Sequence, residues 1–346
     1  MKPKLLQERL LRWYGQQQRD LPWRQSRDPY AIWISEVILQ QTRVETGLRY
    51  YRDFLQEFPT VRALAEARVE QVLCRWSGLG YYNRARNLHL AARRIVECFG
   101  GRLPSDVDAL QTLPGVGRYT AGAIASIAFD QPAPVVDGNV ERVLVRWFAH
   151  RGDPSSSRSQ RWLWTKAAGL VSPAAPGDWN QAVMELGAMI CTAAAPRCVL
   201  CPVSRLCRAR ALGLENRIPR ARKTSPRRRV EQCVAVVERA GRILMLQRRG
   251  SKLMRDLWEL PAVDAGPKSA RQGFDHLKIE VGQPIGVVRH AITFRSIRQH
   301  IYRGKLKGRR LPANGRWVRP DQLKELAHSS QVTKALRLAQ PQKVVS

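Results

Sequence analysis

Apolar positions recur at helical spacing through the first two hundred residues. Leu6, Leu10 and Trp13 fall on one face of an opening segment, and such patterning runs to about Leu212, broken by Pro- and Gly-bearing stretches at "FPTV", "GLGYYNRARN", "FGGRLPSDVDAL" and "LPGVGR". This predicts a bundle of short helices. The pattern then stops: "NRIPRARKTSPRRR" mixes Pro, Ser and seven basic residues without periodicity, the composition of a solvated linker. Beyond it come β-type runs, "EQCVAVVERAGRILMLQRR" turning at Ala240-Gly241, with further strands expected at "PIGVVRHAITF" and "SIRQHIYRGKL". The chain is therefore expected to be multidomain: an all-α core over residues 1–215, a basic linker over 216–229, and an α+β domain over 230–346.

A chain of 346 residues is long enough to bury two cores. Its 59 Lys and Arg against 28 Asp and Glu leave a formal charge of +31, which points to a polyanionic partner, nucleic acid first; a coding bias toward Arg or a basic membrane-facing surface would also raise the charge. No apolar run approaches the roughly 20 residues of a membrane span, and "MKPKLLQERLLRWYG" lacks a signal peptide's apolar core, so a soluble, unexported protein without a membrane partner is expected. The seven cysteines are an odd number, against a disulfide framework. Cys74, Cys98 and Cys233 sit in apolar surroundings and are expected to be buried.

The other four cysteines, Cys191, Cys198, Cys201 and Cys207, crowd into "CTAAAPRCVLCPVSRLC". So much sulfur in one loop points to a metal site, and a single C-x2-C with uneven outer spacing favours an iron–sulfur cubane over a zinc ribbon. Arg197, Arg205, Arg208 and Arg210 surround these ligands and suit a phosphate backbone. In "LPGVGRYTAGAI", Gly115 and Gly117 permit a tight turn, and the helix from Arg118 would aim free N–H groups outward at a phosphate, although an ordinary helical hairpin could use the same glycines. In "WISEVILQQT" one acid, Glu36, is the only charged residue between Pro29 and Thr42. Asp137 in "PVVDGNVERVLVRW" precedes an amphipathic helix, where an N-cap is its ordinary role.

Taken in order, the hairpin, the Asp and the four cysteines resemble the endonuclease III, helix-hairpin-helix superfamily of DNA glycosylases. Within it, "WISEVILQQTRVET", "GLGYYNRARNL", "LPGVGRYTAGAI", "VVDGNVERVL" and "NQAVMELGAMICT" resemble the MutY family of adenine DNA glycosylases, over nearly the whole chain. The resemblance implies a helical glycosylase core with one 4Fe-4S cluster on the four cysteines and a C-terminal Nudix-like, MutT-like domain. It also implies removal of adenine mispaired with 8-oxoguanine or guanine in double-stranded DNA, by a monomer in the bacterial cytoplasm at the nucleoid. Glu36, desolvated, would protonate the departing purine; Asp137, at a polar turn, would stay ionised beside the sugar cation. Tyr119 stands where bifunctional relatives carry a Lys, and a phenol cannot form their imine, so an abasic site is the expected product. Tyr119 and Asn139 would hold Asp137 and the sugar. Gln41 and Tyr81 would wedge into the stack, Thr42 and Leu79 would face the orphaned base, and Trp23, Arg24 and Gln181 would line the adenine pocket.

The C-terminal match is weaker. A glutamate-dense helix for catalytic Mg²⁺ is missing after Trp258, so pyrophosphatase activity is not expected. The family's H-x-F-S-H loop corresponds to "HAITF", where Thr293 keeps a hydroxyl and a histidine is lost, which implies altered discrimination of 8-oxoguanine. Two rivals remain open: a relative acting on thymine opposite guanine, and a non-catalytic, redox-sensitive iron–sulfur DNA-binding protein.

Overall fold

The computed structural model describes residues 3–220, 226–249, 254–292, 294–308 and 310–339. It divides into two compact units, Met1–Glu66 with Asn87–Lys223, and Ala67–Arg86 with Thr224–Ser346. Among the described residues no helix is long and apolar enough to cross a membrane.

The first unit is helical. Its helices are α1 (Pro3–Gln17), α2 (Pro29–Leu39), α3 (Val44–Glu57) and α4 (Val61–Glu66); α5 (Val69–Arg75) belongs to the other unit and α6 (Asn83–Phe99) begins there. There follow α7 (Val107–Gln111), α8 (Arg118–Phe129), α9 (Gly138–Trp147), α10 (Ser157–Ala168), α11 (Pro176–Met189) and the short α12 (Arg208–Ala211). Helix α2 starts on Asp28, whose carboxylate accepts from the amides of Tyr30 and Ala31, with Pro29 at its first position. Every residue from Tyr30 to Ile38 is buried, so α2 is a central helix with no wet face. It packs on α8, while α11 packs on α1, α8 and α9, joining Leu6, Leu10, Val143, Leu163, Trp179 and Leu186 in one core.

The second unit is built on a sheet. Strand β1 (Arg228–Arg239) turns through Ala240 and Gly241, both left-handed, into β2 (Arg242–Gln247); β3 (Trp258–Glu259), β4 (Ala262–Val263), β5 (Ile279–Ile292), β6 (Arg295–Leu306) and β7 (Gly315–Val318) complete it. The order is β3-β2-β1-β6-β5, with β1 parallel to β6, β5 and β6 an antiparallel hairpin, β4 against β1 and β7 against β2. Alternate residues of β1 serve two cores: Cys233, Ala235 and Val237 pack with α13 (Ala270–Phe274), and Val234 and Val236 pack with α14 (Ser330–Ala339). Helix α13 carries no acid.

Residues 67–86 group with the sheet unit. Hydrogen bonds tie them there: Tyr82 Oη donates to His328 O at 2.7 Å, Cys74 Sγ to Lys324 O at 3.1 Å, and Arg86 pairs with Asp256 at 3.2 Å. The expected burial of three cysteines holds only for Cys233; Cys74 is half-buried and Cys98 exposed, because Cys98 falls on the solvent side of amphipathic α6.

Candidate active site

Glu36 lies on the all-buried α2, 9% exposed. Burial pushes its carboxyl up to about 7; a hydrogen bond with Tyr119 and the charge of Arg24 pull it down, and Asp137 pushes it further up. Tyr119 reaches it from the first turn of α8, with its hydroxyl 3.3 Å from Met184 Sδ on α11.

Asp137 is the N-cap of α9. It accepts from Val140 N at 2.7 Å, from Asn139 Nδ2 at 2.9 Å and from the Asn139 amide. Burial is the largest influence on its carboxyl and moves it upward, against those donors and Arg142. The asymmetry with Glu36 lies elsewhere. Asp137 has three donors and a helix N-terminus to hold its anion, whereas among the described residues Glu36 has one hydrogen-bond donor, the Tyr119 hydroxyl, besides the charge of Arg24.

The amide of Asn139 is itself oriented. Arg142 Nη2 donates to Asn139 Oδ1 at 2.8 Å and to Gly187 O at 2.7 Å, while its Nε donates to Cys191 O at 2.7 Å. One guanidinium therefore connects the cysteine loop, α11 and the side chain that supports Asp137. Gly187 lets α11 come this close, since a Cβ there would stand 2.7 Å from Asn139 Cβ and 3.0 Å from its carbonyl oxygen.

Trp23 is buried in the turn Pro22–Arg24, edge-on to Tyr51 at 5.3 Å between centroids. Arg24 is already engaged: with Arg19 it grips the buried Glu185, at 2.9 and 2.7 Å. Burial pushes the Glu185 carboxyl up, but the hydrogen bonds from Arg19 and Arg24 prevail and hold it at about 2. Gln181 is half-buried on the same helix, α11. At the end of α2, Gln41 is exposed with φ of 60°, and Thr42 N closes onto Leu39 O. In the second unit Tyr81 is 48% exposed, also left-handed at φ of 47°, with Arg84 over its ring, and Leu79 is half-buried. Left-handed backbone costs a β-carbon residue about 1 kcal/mol or more and gathers at functional positions. Thr293 lies outside the described residues.

In the hairpin between α7 and α8, Gly115 is required: φ is +78° and a Cβ would meet Asn87 at 2.6 Å. Gly117, the N-cap of α8, has ordinary extended backbone with open space beside it, and Arg118 is exposed with its guanidinium 4.0 Å over the Trp164 ring. The four clustered thiols border one cavity with Arg146 and Arg210. Burial pushes Cys201 up to about 12 and moves Cys198 and Cys207 upward, and the sulfurs reinforce one another. Arg146, 2% exposed, stitches the loop by donating to Cys191 O, Thr192 O and Ile218 O and lies 3.3 Å from Cys191 Sγ. Among the described residues no three His, Cys, Asp or Glu side chains are gathered as ligands of a single ion.

Sequence reasoning missed Arg19, Glu185, Arg142, Arg146 and Met184. Glu185 carried a readable signal, a lone acid in the apolar "NQAVMELGAMICT", the same signal that marks Glu36.

Residues 34–168 match the HhH-GPD superfamily of base excision DNA repair proteins, and residues 233–338 match the NUDIX domain. The chain is 39% identical to the adenine DNA glycosylase of Homo sapiens, across 96% of this chain and 73% of that protein. Against the adenine DNA glycosylase of Rattus norvegicus the identity is again 39%, across 95% and 77%. Among solved structures, a thermostable thymine-DNA glycosylase superposes with a TM-score of 0.56 at 31% identity, covering 61% of this chain and 97% of that one. A trapped endonuclease III–DNA covalent intermediate gives 0.52 at 24% identity, over 62% and 99%, a likeness of fold alone.

Proposed function

The chain belongs to the adenine DNA glycosylase family and is a DNA N-glycosylase of base excision repair; from that premise we propose that it hydrolyses the bond to adenine opposite 8-oxoguanine or guanine, with Glu36 as acid and Asp137 as the anion beside the sugar. The observation that carries this reading is the buried Glu36 carboxyl, raised to about 7 and electrostatically coupled to Asp137.

A base inside a duplex is out of reach, so the adenine is flipped out, at an unstacking cost of roughly a few kcal/mol that a mispair lowers. Glu36 then protonates the departing purine. Asp137, held by Asn139 and the α9 N-terminus, stabilises the positive sugar until water adds. Tyr119 offers no amine for an imine, so the product is an abasic site with an intact strand. Gln41 and Tyr81, each on left-handed backbone, fill the stack, and Thr42 and Leu79 meet the orphaned base. Trp23, Arg24 and Gln181 border the adenine, Arg24 through the geometry that Glu185 imposes. Gly115, Gly117 and Arg118 hold a phosphate.

Cys191, Cys198, Cys201 and Cys207 fit one 4Fe-4S cluster: four sulfurs spread around a cavity suit separate iron atoms, and a cationic centre removes the mutual repulsion of the thiolates. When bound, the cluster supplies a rigid cross-link for its basic loop. The NUDIX-like unit reads the lesion, with Thr293 as its hydroxyl contact, and α13 offers no acid for a catalytic metal.

Incubating the protein with duplexes carrying adenine opposite 8-oxoguanine, guanine or thymine, then treating with alkali, tests the reading. Breaks are expected at adenine in the first two and only after alkali. Glu36→Gln should abolish base release while keeping most DNA binding; full release by that variant would refute the assignment.

A further inference from the structure

Tyr119 has one hydroxyl proton, and among the described residues two neighbours hydrogen-bonded to it can accept that proton. Its oxygen is 3.3 Å from Met184 Sδ and hydrogen-bonded to the Glu36 carboxyl. A single proton cannot serve both. If Glu36 holds its own proton, the carboxyl O–H donates to Tyr119 Oη, and the Tyr119 O–H is left for the sulfur. If Glu36 is ionised, it can only accept, and the Tyr119 O–H turns to it.

We propose that Met184 is a positioning residue for base release: its thioether takes the Tyr119 hydroxyl proton while Glu36 is protonated, and gives it up when Glu36 passes its proton to the leaving purine. The proposal rests on the reading of Glu36 as the acid. No proton is gained or lost by the pair Tyr119–Met184; the hydroxyl rotates between two acceptors as the carboxyl changes state.

Packing holds these groups against one another. Tyr119 and Met184 both lie against the first unit's core, and α8 packs directly on α11. Tyr119 is half-buried, and an acceptor lost from its hydroxyl is costly, so without the sulfur its donation to Glu36 gains weight, which favours the carboxylate. With the sulfur, the acid form is also satisfied. A thioether is a weak acceptor, which suits a partner that must release the hydroxyl at the moment of proton transfer. The other charges facing Glu36 are Asp137 from α9, which raises it, and Arg24 from the Pro22–Arg24 turn, which lowers it. Glu185, the next residue on α11, is neutralised by Arg19 and Arg24.

The test is the pH profile of single-turnover adenine release from an 8-oxoguanine-containing duplex, for wild type, Met184→Leu, Met184→Gln, Tyr119→Phe, the Tyr119→Phe/Met184→Leu double variant and Glu36→Gln. In wild type the rate should fall on the alkaline side as Glu36 ionises. Met184→Leu should move that limb down by about half a unit to one unit, the worth of one hydrogen bond, so that release above the limb is about three- to tenfold slower with the low-pH plateau unchanged. Met184→Gln, whose amide oxygen accepts, should bring the limb back, and Met184→Leu should shift nothing in the Tyr119→Phe background. A lowered plateau with an unmoved limb would mean packing alone and would overturn the proposal, as would a shift that survives without the phenol. Full activity in Glu36→Gln would instead remove the acid reading itself, and the proposal with it.

Discussion

Replacing Arg142 by Met keeps an aliphatic stem and removes every donor. In the native protein that guanidinium bonds Cys191 O, Asn139 Oδ1 and Gly187 O within 2.8 Å and Gly138 O at 3.2 Å. Only the second of these bears on chemistry. It fixes the Asn139 amide with its nitrogen toward Asp137, so without Arg142 the amide is free to turn and present its oxygen to a carboxylate. Loss of a hydrogen bond to a charged group costs about 1.5–3 kcal/mol, which is roughly ten- to hundredfold in rate if it is felt in the transition state. Single-turnover release by Arg142→Met, Asn139→Leu and the double variant is the assay, with thermal unfolding to correct for the folded fraction. Because both substitutions remove the same support of Asp137, the double variant should be little slower than Asn139→Leu alone. Fully additive losses, or a rate loss that vanishes after correction for folding, would refute the connection.

Glu185→Gln should cost about 2–3 kcal/mol of stability near neutral pH, because Arg19 and Arg24 hold the buried carboxylate at about 2, and part of that is screened through the one-third-exposed Arg19. The carboxyl is depressed, so its contribution is present above the ordinary carboxylate range and fades as pH falls toward 2. Urea unfolding of both proteins from pH 7 to pH 3 should show the gap closing, and a constant gap would contradict the assignment. Cys201→Ser should abolish the visible iron–sulfur absorption and lower the melting temperature; an unchanged spectrum and iron content would exclude a cluster at this loop.

Helical patterning revealed the first unit because its helices are amphipathic at their edges, and the lone acid of α2 stood out because the rest of that helix is apolar. Strand alternation and the Ala240-Gly241 turn likewise marked β1 and β2, and "PIGVVRHAITF" and "SIRQHIYRGKL" mark the β5–β6 hairpin. The grouping of residues 67–86 with the sheet was hidden, since it depends on hydrogen bonds such as Tyr82 to His328, far apart in the chain. Arg142 and Arg146 were hidden for a related reason. Four apart on an amphipathic helix, they read as a solvated face, whereas, Gly138 O apart, the carbonyls they satisfy come from residues 45 or more positions away. Asp137 was found as a cap, but its desolvation follows from the surrounding helices and not from the polar turn that announces it.

The bare α-carbon of Gly187 places a demand on a residue with no chemistry of its own. Alanine at this position, the mildest exchange available, would thrust one methyl into the backbone of its neighbouring helix and tilt the amide that steadies an anion. Surveys of inherited or selected variants that score only reactive side chains would pass over it, although it sets the clearance on which they depend.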